Sequence, residues 1–356
     1  MPYPEMENST FALLPLISER ARKEPELQFT SLAHLLNEKF LRECYYELGR
    51  DRASGIDGVS WQGYGAHLKE NLAGLVTRMK AKKYRPQPAK RVYIPKNEHE
   101  KRPLGLPALE DKIVQKGIAW ILEAIYEQDF LDCSYGFRPR RNCHQALDVV
   151  DKTIMKRPIH YVIEADIKGY FDNVSHSWML RCLEVRIQDP SLLLLIRRFL
   201  KAGYVDAGQL VPTEQGTPQG GNLSPIIANI FLHYVLDLWF ERRVKRQVRG
   251  GCFLVRYADD FVCLLQYQEE ARRVAEQLQE RFAEFDLQLH PEKTRVLTSG
   301  RYERANAKCQ GRRVHTFDFL GFTHFCGTSR RGKFIVGRRT SRKKFRTKCK
   351  ELNLWL

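Results

Sequence analysis

Apolar positions along this chain repeat at two spacings, and the changes between them mark the elements. Between Asp111 and Gln128 they recur at 113, 114, 117, 118, 121, 122 and 125, the spacing of a helix with one buried face. Residues 269–284 repeat the pattern, with Ala271, Val274, Ala275, Leu278 and Phe282 on one side. Further helices are predicted over 31–49, 61–83, 176–187, 190–202 and 225–243. Short runs rich in β-branched and aromatic residues predict strands at 160–166, 252–256, 261–265 and 287–289. Segment 90–106 predicts a hairpin turning near Asn97–Glu100, and 317–325 with 333–337 another turning at Ser329–Gly332. Residues 1–30 are polar and weakly patterned and read as a leader. No internal repeat and no long linker interrupts the pattern, so the fold class is α+β.

Chemistry concentrates where strands end. Tyr257-Ala258-Asp259-Asp260 lies between two strand-like runs, so the Asp pair sits at the tight turn of a hairpin. Burying adjacent carboxylates is costly unless cations neutralise them. Mg²⁺ prefers one or two carboxylates together with substrate phosphates. A further carboxylate, Asp166, closes the strand 160–166. Two cations held about 4 Å apart need a ligand from a neighbouring strand. Only a folded sheet can join Asp166 to Asp259. The plain alternative is a solvated Asp-Asp turn. Asp172 and Asn173 precede a helical stretch and suit cap or turn positions better than a site. The Gly/Pro-rich segment 215–225 opens an apolar helix, where backbone can approach a ligand closely.

Taken in order, these motifs resemble those of the reverse transcriptases. Tyr257–Asp260 with its flanks is similar to their catalytic hairpin, and Asp166-Ile167 with Phe171-Asp172 to their first catalytic motif. Gln215–Pro225 resembles the loop beside the incoming nucleotide and template. Val92–Lys96 and Lys101–Gly105 resemble the fingers hairpin, and Phe319–Phe322 the primer grip. Gly55–Val59 and Ser134–Pro139, with the flanks of the Asp pair, point to the group II intron-type enzymes. The resemblance covers about residues 35–350.

It implies a right-hand polymerase fold with fingers and palm, the palm an antiparallel sheet backed by helices, and a partial or missing thumb. Residues 31–150 would form an N-terminal extension and fingers, and 151–325 the palm, with a fingers insertion at about 185–225. Residues 326–356 would form a basic hairpin and the start of a thumb, short of the family's usual thumb and maturase region. The implied activity is an RNA-directed DNA polymerase adding dNTPs to a primer 3′ end by two-metal phosphoryl transfer, in group II intron mobility. Two Mg²⁺ ions, with Mn²⁺ as a substitute, would be held by Asp166, Asp259, Asp260 and the backbone at Ile167. Lys96 and Arg102 would neutralise the triphosphate, Phe171 would stack on the sugar, and Gln219 would position the nucleotide. Lys293 would contact the chain terminus or its phosphate; otherwise it is a surface lysine. Leu320 and Gly321 would grip the primer. Partners would be an RNA template, group II intron RNA among the candidates, a DNA or RNA primer and dNTPs. Two alternatives stay open: a reverse transcriptase of a defence or CRISPR-associated system, and a non-synthesising, maturase-like RNA-binding protein.

Composition supports a polyanionic partner. The 356 residues carry a net charge of +17. Residues 301–356 hold sixteen Lys and Arg against three Asp and Glu, so most of the excess lies there. Nine cysteines are scattered without a Cys-x-x-Cys pair, so neither a zinc ribbon nor a disulfide scaffold is indicated, which suits a reducing compartment. The stretch 225–240 is interrupted by Asn229, His233 and Asp237 and reads as a buried helix. No membrane span and no signal peptide is expected, so the expected location is cytoplasmic.

Overall fold

The helix predicted from the 113–125 spacing runs from Leu109 to Tyr126 and buries Ile113, Val114, Ile118, Ile121, Leu122 and Ile125. The computed structural model in which it stands describes residues 13–95, 101–217 and 220–355. The chain divides into two compact units, one of Met1–Phe130 and Phe171–Phe231, the other of Leu131–Tyr170 and Leu232–Leu356. The described strands are β1 (Ala89–Pro95), β2 (Lys101–Leu106), β3 (Tyr161–Asp166), β4 (Tyr204–Asp206), β5 (Gln209–Val211), β6 (Cys252–Tyr257), β7 (Asp260–Leu265), β8 (Arg295–Thr298), β9 (Thr316–Phe319), β10 (Phe322–Thr328) and β11 (Phe334–Thr340).

In the first unit, helix Leu109–Tyr126 packs against helices Leu13–Lys23 and Glu38–Tyr46. Its sheet has the order β2-β1-β4-β5, with β1 antiparallel to β2 and parallel to β4. The tip expected at Asn97–Glu100 lies outside the described residues. Residues 13–23, expected as part of an unpatterned leader, are helical. Arg186 reaches from far along the chain and donates to the carbonyl of Ala21, in the last turn of that helix, and to that of Pro25 just beyond it.

The second unit holds an antiparallel sheet of order β6-β7-β3-β8. Helix Gln268–Ala283 packs on it through Ala271, Val274, Leu278 and Phe282, the predicted apolar face. A second antiparallel sheet, β11-β10-β9, shares a core with it that includes Leu147, Val150, Val162, Val262, Phe317 and Phe319. Helix Cys143–Lys156, which the sequence pattern did not single out, closes that core.

Several elements differ from expectation. Leu287–Leu289 contributes a single bridge, Ile167 to Leu289, and the strand beside β3 is β8 instead. The terminal hairpin is a three-stranded meander, because a two-residue turn at Leu320-Gly321 splits its first arm. Asp172 and Asn173 lie in a one-turn helix, Tyr170–Asn173, and the following helix takes its cap position at Ser175. The long helix begun at Ser224 widens into π-helical turns at His233–Asp237 and Phe240–Val244. Among the described residues no helix is long and apolar enough to cross a membrane.

Candidate active site

Antiparallel register brings two carboxylates together. Asp166 ends β3, Asp260 begins β7, and the two are paired residues across the strands. Tyr257 pairs with Asp260, so Ala258 and Asp259 form the two-residue turn between β6 and β7. Ala258 has φ +56, while Asp259 is not among the positive-φ residues. That sign pattern belongs to a type II′ turn, whose first position usually carries glycine. A side chain there is strained.

The electrostatics follow from this crowding. Burial, aided by the charges of Asp259, Asp166 and Glu164 and opposed by the Leu320 amide, raises the Asp260 carboxyl to about 7. That amide donates to Asp260 Oδ2 at 3.1 Å. Leu320 and Gly321 both have positive φ, +51 and +80, as a type I′ turn requires. The segment expected to grip a primer therefore also holds one of the carboxylates. The Lys293 ammonium pairs with Asp166 Oδ2, and both side chains are exposed. Ile167 is buried. Its bridge to Leu289 is closed by Lys168 N to Gln288 O and His290 N to Asp166 O, at 2.8 and 2.7 Å. Neither bond uses the Ile167 carbonyl.

A buried cluster supports the turn. Arg256 and Asp237 are both fully buried, at 0% exposure. Arg256 donates through Nε and Nη2 to the two oxygens of Asp237 at 2.7 and 2.6 Å. Nη2 also donates to Ser134 Oγ at 2.8 Å, and Nη1 to the carbonyl of Ala258 at 3.0 Å. The Arg256 backbone bonds Cys133 O and Tyr135 N, each at 2.8 Å. A Cβ on Gly136 would stand 2.3 Å from the Ala258 nitrogen, so only glycine lets this segment lie against the turn. None of Arg256, Asp237 and Gly136 was assigned a role from sequence. The available signal was an Arg ending one apolar run and an Asp inside another, since neither charge is buried alone.

The other expected residues fall in the first unit or outside the described residues. Phe171 is half-buried and lines a cavity of about 380 Å³ with Arg91, Gly105, Tyr204, Gly216 and Thr217. Its carbonyl accepts from Thr217 N at 2.7 Å. Gly216, at φ +80, lies so close to residues 171–172 that a Cβ would meet their carbonyls at 2.7 Å. Arg102 is exposed on β2, opposite Ile94. Lys96 and Gln219 lie outside the described residues.

Among the described residues, no group of three or more His, Cys, Asp and Glu is arranged to hold a metal ion. The donors nonetheless suit a hard divalent cation completed by phosphate oxygens. The neighbouring carboxylates raise the proton affinity of Asp260, and an ammonium already answers Asp166.

Comparison with known proteins gives the family. The family model described as reverse transcriptase (RNA-dependent DNA polymerase) matches residues 94–324. Group II intron-encoded protein LtrA of Lactococcus lactis subsp. cremoris is 39% identical over 240 residues, covering 66% of this chain and 39% of LtrA. Protein YkfC of Escherichia coli K12 is 31% identical over 331 residues, covering 79% of this chain and 84% of YkfC. The putative COX1/OXI3 intron 2 protein of Saccharomyces cerevisiae is 36% identical over 165 residues, covering 46% of this chain and 19% of that protein. The chain thus spans well under half the length of LtrA.

Proposed function

The chain belongs to the reverse transcriptase family, on its group II intron-type branch, and on that premise we propose that it is an RNA-directed DNA polymerase serving intron mobility. The observation that carries this reading is the pairing of Asp166 with Asp260 at a sheet end, with Asp259 in the adjoining turn. In this reading the β6-β7-β3-β8 sheet is the palm and the β1–β2 hairpin belongs to the fingers.

Two divalent ions, Mg²⁺ or Mn²⁺, would be held by Asp166, Asp259, Asp260 and the Ile167 carbonyl. When bound, they would activate the primer 3′-hydroxyl and neutralise charge on the leaving pyrophosphate. The chain's own residues supply placement. The Leu320 amide fixes one oxygen of Asp260. Lys293, freed from Asp166, carries an ammonium that can turn to a phosphate. Arg102 and Lys96 would neutralise the triphosphate, Arg102 with bidentate geometry. Phe171 would face the sugar from its cavity wall, and Gln219 would hold the nucleotide. Leu320 and Gly321 would seat the primer.

The test is dNTP incorporation on a primed RNA template by the parent chain and by Asp259→Asn. The parent should extend the primer. The variant should lose extension while binding RNA nearly as well, because phosphate contacts set affinity. RNA binding without incorporation by the parent would overturn the polymerase reading and favour an RNA-binding, maturase-like role.

A further inference from the structure

We infer that Arg256 is a positioning residue for the carboxylate turn, oriented by Asp237 and Ser134 and acting through the carbonyl of Ala258. The inference rests on the polymerase reading and deepens it. A fully buried ion pair is weak support for stability, because well-packed apolar residues of similar volume serve as well or better. Stability alone therefore gives no reason for Arg256 and Asp237 to be charged.

Apolar residues lack a directed donor. Three of the guanidinium's five N–H donors fix its plane, with bonds to both Asp237 oxygens and to Ser134 Oγ. A donor on Nη1 is aimed at Ala258 O. Ala258 is the residue in this turn whose φ, +56, a Cβ disfavours. Asp259 and Asp260 follow it directly, so the orientation of this one peptide sets where both carboxylates emerge. The strand behind is pinned on both sides of Arg256 by Cys133 and Tyr135, and the absent side chain of Gly136 admits the turn. Asp237 closes a π-helical turn, a local widening that shifts the helix face on which the following side chains fall.

Three proteins test the inference: the parent, Arg256→Lys, and the double variant Arg256→Met/Asp237→Leu. Each is examined by thermal melting, by kcat and KM for dNTP on a primed RNA template, and by Mn²⁺ titration without nucleotide. The double variant removes the charges together and should melt within a few degrees of the parent. Its kcat and its Mn²⁺ affinity should nevertheless fall about 10- to 100-fold, with KM for dNTP nearly unchanged. Arg256→Lys keeps the charge but cannot span Asp237 and Ala258 O together, and should show the same split more mildly. A double variant with parental kcat and parental Mn²⁺ affinity would show that the cluster only packs. If the double variant fails to fold, parental kcat in Arg256→Lys overturns the inference. If the parent itself does not polymerise, the polymerase reading fails instead, and unchanged Mn²⁺ affinity across the folded variants overturns this one separately.

Discussion

A carboxyl group buried beside two others holds its proton more tightly, and that has a sign that can be measured. Asp260 is raised to about 7 in the folded chain, above the ordinary carboxylate range. The stability tied to its neutral form is complete below pH about 4 and is lost as the pH rises through about 7. Metal-free protein should therefore lose melting temperature from pH 5 to pH 8 more steeply than Asp260→Asn does. Parallel curves would show that burial beside these charges does not raise Asp260. Phe171 yields a second test. It is half-buried on a cavity wall, not packed in a core. Phe171→Val should stay folded, keep much of its dNTP activity and accept rNTPs markedly better, because a ring leaves no room or acceptor for a 2′-hydroxyl. Rates for dGTP and rGTP on one template, with a melting curve, decide it; unchanged selectivity removes Phe171 from the sugar site. At this scale the sequence was informative where the signal was short-range. Asp259 and Asp260 sit in a hairpin whose two strands adjoin them. Arg256 and Asp237 are 19 residues apart, and only the fold makes them partners.

Elements show the same limit. The β6–β7 hairpin was legible because its arms are six residues each and strongly apolar. The β4–β5 hairpin was not, since its arms are three residues and its turn, Ala207-Gly208, places a non-glycine residue at φ +48. The Leu320-Gly321 turn hid for the same reason, with leucine where Asn or Asp would have announced it. The first π-helical turn, His233–Asp237, leaves no periodic trace after so apolar a stretch. One element-scale contact gives a direct prediction. Gly136→Ala places a methyl against the backbone of Ala258, which cannot yield as a flexible side chain could. It should cost roughly 1–3 kcal/mol of stability. It should also lower incorporation in protein that remains folded, as thermal melting and primer extension would show. A variant with parental melting and parental rate would mean that the segment and the turn are not in contact.

For the molecule as a whole, the charge predicted from composition has a place. Arg342, Arg346 and Lys350 project from the helix Arg342–Trp355 and are exposed. Changing all three to Gln should weaken binding to a primer–template at low salt. The slope of log affinity against log salt should flatten by about 0.9 for each phosphate contact removed. An unchanged slope would place this helix away from nucleic acid. Truncation is the poorer experiment, because Phe334 and Val336 on β11 pack against the core of the second unit. The order β6-β7-β3-β8 carries a further consequence, for synthesis of the chain on the ribosome. β3 is flanked on both sides by strands made later, β7 starting at Asp260 and β8 at Arg295. At ~5–20 residues per second, this strand waits on the order of 5–25 seconds between its own emergence and that of its last neighbour. During that interval an apolar strand with two open edges is exposed to whatever else is nascent. Early release, or slow translation between residues 167 and 295, should therefore send the chain into aggregates unless a chaperone covers it.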